Sequence, residues 1–385
     1  MEERAKTIFI SDIHLGDKNS CAPSEIPDCL TPHPYSWIKE NIKILAQFLT
    51  EIPKDPMVKN LVILGDLFDT WIIPAHSDPP ITFEPMCLNP ANKPIIANLN
   101  ALIESGINLT YVPGNHDMPM DVPGISGKKL FMEKNFPGIN CLFSNQEPLG
   151  RYNIGTLLAE HGNRYCLFNG PDTWAKPNCF LPLGYFISRI IAHYALNHGQ
   201  KLNYLHILGN FIHGIGGTPE ILKNMFMAIA AEGDLKPNDS IDTKGLPGYP
   251  AMMTVDEIGE QFSNLVEDWS KEPGNIHWKI AGEGDLENLW LAASRQFQGG
   301  KQIVIFGHTH KPEMHLDQGV DTGDEIPPWE KPSATIYANC GAWVDGCKYG
   351  CTYVETEEVA KEWRHYVRLK KYPGNTCLNE GFVVM

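Results

Sequence analysis

Five short clusters of Asp, Asn and His hold the reactive chemistry of this 385-residue chain. They are Asp12-Ile13-His14, Gly65-Asp66 with Asp69 close behind, Gly114-Asn115-His116-Asp117, His161-Gly162 and Gly307-His308-Thr309-His310. Asp12 and His14 lie two apart, so in an extended segment both side chains point to one side and chelate one ion. His308 and His310 repeat that spacing. Asp66 has two carboxylate oxygens and sits between the other clusters, which lets it bridge two metals, while Asn115 offers a neutral amide oxygen. Mixed carboxylate, imidazole and amide ligands suit Mn, Fe or Zn better than the all-oxygen shell that Ca prefers. Two dications against Asp12, Asp66 and a hydroxide leave the centre at about +1, an anion trap.

The elements that must position these clusters are legible as patterns. Each cluster follows a short apolar run that predicts a strand: Thr7–Ile10, Leu61–Leu64, Ile107–Val112, Thr156–Ala159 and Gln302–Phe306. Helical spacing over Tyr35–Ile52 and Pro94–Ser105 separates the first three. Strand, helix, strand, helix, strand is the grammar of an α/β layered fold with largely parallel strands. Further strands are predicted at Ile139–Phe143, Ala334–Ala338, Thr352–Glu355 and Trp363–Leu369. In an open α/β sheet the carboxyl ends of the strands converge on one crevice, where ligands bind. Gly-Asp after a strand is common turn chemistry, and a lone His is more often structural. Five such clusters in this order, each at a strand end, point to a metal site.

Between about residues 170 and 300 the strand signals stop, and helical patterns follow at 183–198, 202–213, 219–231, 254–270 and 285–297. This reads as a helical insertion (170–300), a candidate lid, within a single domain spanning 1–385. On the first of these helices Arg189, His193 and Asn197 recur every four residues. The plain reading is a solvated polar face. The sharper one places Arg189 on substrate phosphate, with apolar neighbours holding a lipid or nucleoside. Arg164, just after His161, carries the same pair of readings: a substrate phosphate contact or a surface Arg.

Composition narrows the partners. Asp plus Glu number 46 against 31 Lys plus Arg, a net charge of −15 that repels polyanions and disfavours nonspecific nucleic-acid binding. The opening MEERAKTIFISD has no basic-then-apolar leader, and no uninterrupted apolar run reaches about 18 residues. Cys179 to Leu196 comes nearest, but Pro182, Arg189 and His193 interrupt it. Ten scattered cysteines then read as reduced thiols of a cytoplasmic protein. Peripheral membrane contact and oligomeric state stay open.

At its five clusters the sequence resembles the calcineurin-like metallophosphoesterases, whose pattern is D-x-H, G-D, G-N-H-[DE], a lone His often followed by Gly, and G-H-x-H. All five elements are present and bracket residues 7–310. The resemblance implies a four-layer α/β/β/α sandwich with a dinuclear metal centre, Mn being the first choice. It assigns Asp12, His14, Asp66 and His310 to one metal, and Asp66, Asn115, His161 and His308 to the other. Two metals about 3.5–4 Å apart generate a bridging hydroxide at neutral pH and clamp an in-line displacement at phosphorus. His116, beside ligand Asn115, is then the expected general acid, with Asp117 orienting its ring. Asp117 also fits as a helix N-cap, since Met118 to Asp121 suits a first helical turn.

Within the superfamily, LVILGDLFDTW (Leu61–Trp71) looks most like the UDP-2,3-diacylglucosamine pyrophosphatase branch, which also carries a helical insertion. The chain departs from it where Ile72-Ile73-Pro74 replaces an acidic pair, and where His116 replaces the Arg of G-N-R-D. The expected activity is hydrolysis of a phosphoester or pyrophosphate in a small or lipid-linked phosphate compound. Three alternatives compete. A nuclease is disfavoured by the acidic balance. A phosphoprotein phosphatase would carry G-D-x-[VY]-D-R-G, where this chain has Leu-Phe-Asp-Thr-Trp after Asp66. A metal-bound scaffold would lack a ligand or His116, and none is missing.

Overall fold

The computed structural model describes residues 4–17, 21–23, 30–32, 35–118, 122–143, 150–170, 181–200, 202, 207, 220–265, 285–317 and 334–384. In chain order the strands of its two main sheets are β1 (Arg4–Ile10), β2 (Val58–Leu64), β3 (Asn108–Val112), β4 (Asn140–Cys141), β5 (Tyr152–Ile154), β6 (Leu157–Ala159), β7 (Ile303–Phe306), β8 (Pro312–Asp317), β9 (Thr335–Cys340), β10 (Thr352–Val359), β11 (Arg364–Lys371) and β12 (Thr376–Val384). Among the described residues the α-helices of seven residues or more are α1 (Asn41–Glu51), α2 (Lys93–Glu104), α3 (Val122–Asn135), α4 (Leu183–His198), α5 (Ile221–Glu232), α6 (Val255–Gln261) and α7 (Asp285–Gln298).

One sheet has seven strands in the order β12-β11-β10-β1-β2-β3-β4, and the other has five in the order β8-β9-β7-β6-β5. β1 through β4 run parallel to one another, as do β6, β7 and β9. The sheets pack face to face: Phe9, Val62 and Leu64 of the first meet Leu157, Ile303 and Ile305 of the second. Alternate residues Ile8, Ile10, Leu61 and Ile63 turn outward onto Leu45, Phe48 and Leu99 of α1 and α2. Across the other sheet, Val304, Phe306 and Tyr337 meet Leu289, Ala292 and Ala293 of α7. The central strands are therefore buried on both faces, which is why they read as unbroken apolar runs. Helix, sheet, sheet, helix is a four-layer α/β sandwich.

Tertiary partners adjust the predicted boundaries. α1 begins at Asn41, not Tyr35, because the Asp345 carboxylate captures the backbone N–H groups of Lys39 and Asn41, and Asp345 N–H donates to the Trp37 carbonyl. The edge strands β5, β8 and β12 give no sequence signal, since their residues are largely exposed or half-buried.

In the region read as an insertion, α4, α5 and α6 share a core built around Phe186, Ile190, Met225, Phe226 and Ile258, joined by Trp71 and Met118. A small hairpin, Ser240–Asp242 with Met252–Thr254, stands where no strand is predicted. The expected helix at 202–213 and the 266–270 end of another lie outside the described residues, 202 and 207 apart. Among the described residues no helix is long and apolar enough to cross a membrane.

Candidate metal centre

The five clusters meet where the strands end. Backbone hydrogen bonds lace their loops together: Ile13 and His14 N–H both donate to the Asp66 carbonyl (2.9 and 2.8 Å), Thr70 N–H to His116, and Gly307 N–H to His161. Asp12, His14, Asp66, His308 and His310 all adopt left-handed backbone conformations, with φ between 53° and 71°. Such geometry costs on the order of 1–3 kcal/mol per residue and persists only where surrounding structure enforces it. Two glycines make room. A Cβ on Gly114 would lie 2.2 Å from Asp66 Oδ1, and one on Gly65 (φ +78°) 2.6 Å from His161 Nδ1.

The side chains fall into two groups that share Asp66. On one side His310 Nε2 lies 3.2 Å from both Asp12 Oδ1 and His14 Nε2, and His14 Nε2 lies 3.5 Å from Asp66 Oδ2. On the other, His161 Nε2 lies 3.2 Å from Asp66 Oδ2 and 3.0 Å from Asn115 Oδ1. Asp12 Oδ1 is buried and makes no hydrogen bond, although the Nε2 atoms of His310, His14 and His161 stand 3.2, 3.9 and 4.0 Å away. An orphaned carboxylate oxygen ringed by imidazole nitrogens fits a cation. The far nitrogens agree: His14 Nδ1 faces Asp69 Oδ2 at 3.2 Å, and His161 Nδ1 faces the Leu64 carbonyl at 2.7 Å. A ligating His holds its other nitrogen to a carboxylate or carbonyl in this way. His308 stands beside His161 with ring centroids 5.2 Å apart, and its backbone N–H donates to Asp12 Oδ2.

Without a cation, protons occupy the cluster. Burial pulls the His14 pKa down, but the facing carboxylates of Asp12, Asp69 and Asp66 outweigh it and lift it to about 10. His161 reaches about 9, burial again being outweighed, here by the charges of Asp66 and Asp12. Burial would raise Asp12 and Asp66, yet the surrounding imidazoles hold both well below the usual carboxylate range. His308 falls to about 3 through burial and the charge of His161. Burial likewise lowers His310.

His116 sits at the rim of this cluster. Trp71 stacks on its ring at 4.6 Å, its backbone N–H donates to Asp66 Oδ1 (2.8 Å), and its Nδ1 lies 3.0 Å from Asp69 Oδ1. Asp69, not Asp117, orients the ring. The Asp117 carboxylate faces backbone instead and accepts from the N–H groups of Gly114 (2.6 Å), Leu67 (2.8 Å) and Asp66 (3.2 Å). It ties the loop after β3 to the loop after β2.

A family model of calcineurin-like phosphoesterases matches residues 5–312, most of the chain. The chain belongs to the calcineurin-like phosphoesterase family. It is thus a hydrolase acting on phosphoesters, and its Asp and His groups fit the divalent metals that such enzymes use. Two similar solved structures are GAP50, the anchor in the inner membrane complex of Plasmodium, and a conserved uncharacterized protein (predicted phosphoesterase) from Streptococcus pneumoniae TIGR4. The first is 8% identical with a TM-score of 0.34, over 99% of this chain and 89% of that one. The second is 11% identical with a TM-score of 0.28, over 98% of each. A search of curated protein sequences finds no match.

Both candidate phosphate-binding arginines of this phosphoesterase have protein partners. Arg189 is fully buried. Its guanidinium donates to the carbonyls of Ile73, Pro74, Ala75, Ser77 and Asp242 and to the Tyr185 hydroxyl. It pins α4 to the loop behind Trp71, so the expected phosphate contact is replaced by a structural clamp. Of the face read as solvated, Arg189 is covered by backbone from distant segments, while His193 is half-buried and Asn197 exposed. Arg164 Nε pairs at 2.6 Å with buried Glu160, which also takes Arg151 and the Tyr165 hydroxyl. Trp37 is a site residue that the sequence reading missed: it stacks on His14 at 4.8 Å and meets His310 edge-on at 4.8 Å. It falls within the stretch Tyr35–Ile52 whose spacing predicts a helix, and precedes the helix that forms at Asn41. Asp69 carried a signal, three residues past Asp66, without a role attached.

Proposed function

We propose that this phosphoesterase is a dinuclear metal-dependent hydrolase of phosphoester or pyrophosphate bonds in a small or lipid-linked phosphate compound, using Mn in the cytoplasm. The observation that carries the proposal is the pair of ligand groups meeting at Asp66, beside a His116 ring aimed by Asp69. Asp12, His14, Asp66 and His310 would hold one cation, and Asp66, Asn115, His161 and His308 the other. Bound divalent cations supply Lewis acidity toward the phosphoryl oxygens and acidify the attacking water. The chain's own residues do the rest. With Nδ1 committed to Asp69, His116 offers Nε2 as the atom that protonates the departing oxygen, and the Asp69 carboxylate stabilises the ring while it is charged. Trp71 covers one face of the ring and shields it from water. We read 170–300 as an insertion within one domain, with α4 beside Trp71 placed to border the organic part of the substrate.

Hydrolysis of p-nitrophenyl phosphate, bis-p-nitrophenyl phosphate and UDP-linked pyrophosphates by Mn-loaded protein tests this. Turnover should vanish in Asp66→Ala, and the preferred compound separates monoesterase, diesterase and pyrophosphatase. His116→Ala should keep its metals and lose kcat most on poor leaving groups. No metal uptake together with no turnover would sink the proposal in favour of a scaffold.

A further inference from the structure

Three of the candidate ligand histidines, His14, His161 and His308, are held in two different ways. His14 and His161 are gripped at Nδ1, by Asp69 and by the Leu64 carbonyl, and turn Nε2 inward. His308 is gripped at the opposite nitrogen: its Nε2 lies 3.4 Å from Asn169 Nδ2. The same Nδ2 lies 3.4 Å from Cys166 Sγ. A neutral imidazole carries a hydrogen on one nitrogen and a lone pair on the other. For His308 to present a lone pair at Nδ1, its Nε2 must carry the hydrogen. With the Asn169 carboxamide turned over, its oxygen takes the place of Nδ2, accepts that hydrogen and accepts from the Cys166 thiol as well. Which way an Asn amide points follows from the hydrogen-bond network around it, and here both neighbours are able to donate.

Asn169 is itself firmly placed. Its backbone N–H donates to the Cys166 carbonyl at 3.1 Å, and its own carbonyl accepts from Asn163 Nδ2 at 3.0 Å. α4 closes against it: Gly184 N–H donates to the Phe168 carbonyl at 2.7 Å, and a Cβ on Gly184 would lie 2.2 Å from the other terminal atom of the Asn169 amide. The loop that carries one site histidine, His161, thus reaches round to another, and the first turn of α4 braces it.

We propose that Asn169, braced by the first turn of α4, is a positioning residue that fixes the ring and tautomer of His308. This rests on the metal-binding reading of the site. Outer partners of a ligating His are worth about 10- to 100-fold in metal affinity. The test is titration of metal-free protein with Mn²⁺, followed by calorimetry, and with Co²⁺, followed by visible absorption, for wild type, Asn169→Leu, Asn169→Ser and Asn169→Asp. Asn169→Leu and Asn169→Ser should bind one ion normally and weaken the second by about 10- to 100-fold, with an altered Co²⁺ spectrum, while Asn169→Asp, which keeps an acceptor, stays within about threefold of wild type. Thermal unfolding of the metal-free variants checks that each folds, and the serine variant stands in if leucine does not fit. Two ions bound as in wild type by Asn169→Leu and Asn169→Ser would overturn the role of Asn169 and leave the metal centre intact. Equal weakening in Asn169→Asp and Asn169→Leu would overturn it too. A wild type that takes up no metal would overturn this inference and the metal-site reading together.

Discussion

Replacing Asp69 by Asn separates the two roles of one carboxylate. Oδ1 accepts from Trp71 N–H (3.0 Å) and Ile72 N–H (2.9 Å) and faces His116 Nδ1 at 3.0 Å, while Oδ2 faces His14 Nδ1 at 3.2 Å. Three donors converge on Oδ1, so an Asn must keep its oxygen there and turn its NH2 toward His14. That NH2 needs a lone pair on His14 Nδ1, which moves the ring hydrogen to Nε2, the atom that faces Asp12, Asp66 and His310. Metal affinity at the His14 side should fall about 10- to 100-fold. At His116 the geometry survives, but a charge-assisted hydrogen bond becomes a neutral one. Hydrogen bonds to charged groups contribute about 1.5–3 kcal/mol and neutral ones about 0.5–1.5, and the difference of about 1–1.5 kcal/mol corresponds to a loss of roughly 5- to 10-fold in kcat at saturating metal. The assay is metal stoichiometry by elemental analysis, then kcat on an alkyl phosphoester under excess Mn. Asp69→Asn with wild-type metal affinity and wild-type kcat would refute the assignment of Asp69 as the shared partner of both rings.

Other outcomes follow from the same geometry. Gly114→Ala should cost about 1–3 kcal/mol of stability through overpacking and lower metal content, because the new Cβ meets Asp66 Oδ1 at 2.2 Å; unchanged content by elemental analysis would contradict this. In metal-free protein His14 and His161 are raised from 6.5 to about 10 and about 9, so protonation favours the folded state. That stabilisation is complete below 6.5 and is lost as pH rises through 9 to 10; the Tm of EDTA-treated protein should fall over this range, and a rise would reverse the sign of the argument. Metal uptake near neutral pH should also release about two protons, read with a pH indicator in weak buffer. Arg189→Met strips the shared donor from five carbonyls and should destabilise by about 3 kcal/mol or more in urea unfolding. Raised KM with unchanged stability would instead restore Arg189 to substrate phosphate.

The sequence by itself determined the architecture's centre and the ligand set. Central strands buried on both faces must be apolar throughout, and their carboxyl ends must carry the site, so β1, β2, β3, β6 and β7 and their Asp, Asn and His clusters are legible as local patterns. Edge strands β8 and β12 are half-exposed and carry no comparable pattern. Tertiary structure decided which groups serve the ligands. Asp69 and Asp117 are each next to the chemistry in sequence, yet Asp69 meets two imidazoles and Asp117 meets the backbone of two loops. Arg189 has the spacing of a solvated face and is sealed by the carbonyls of 73–77. Trp37 falls in the stretch whose spacing predicts a helix, but Asp345, some three hundred residues away, starts α1 at Asn41 and leaves the indole over His14. Residue type and short-range spacing fix which atoms are able to bind a cation. The partner of a buried polar group depends on which distant backbone arrives beside it, and no local pattern encodes that.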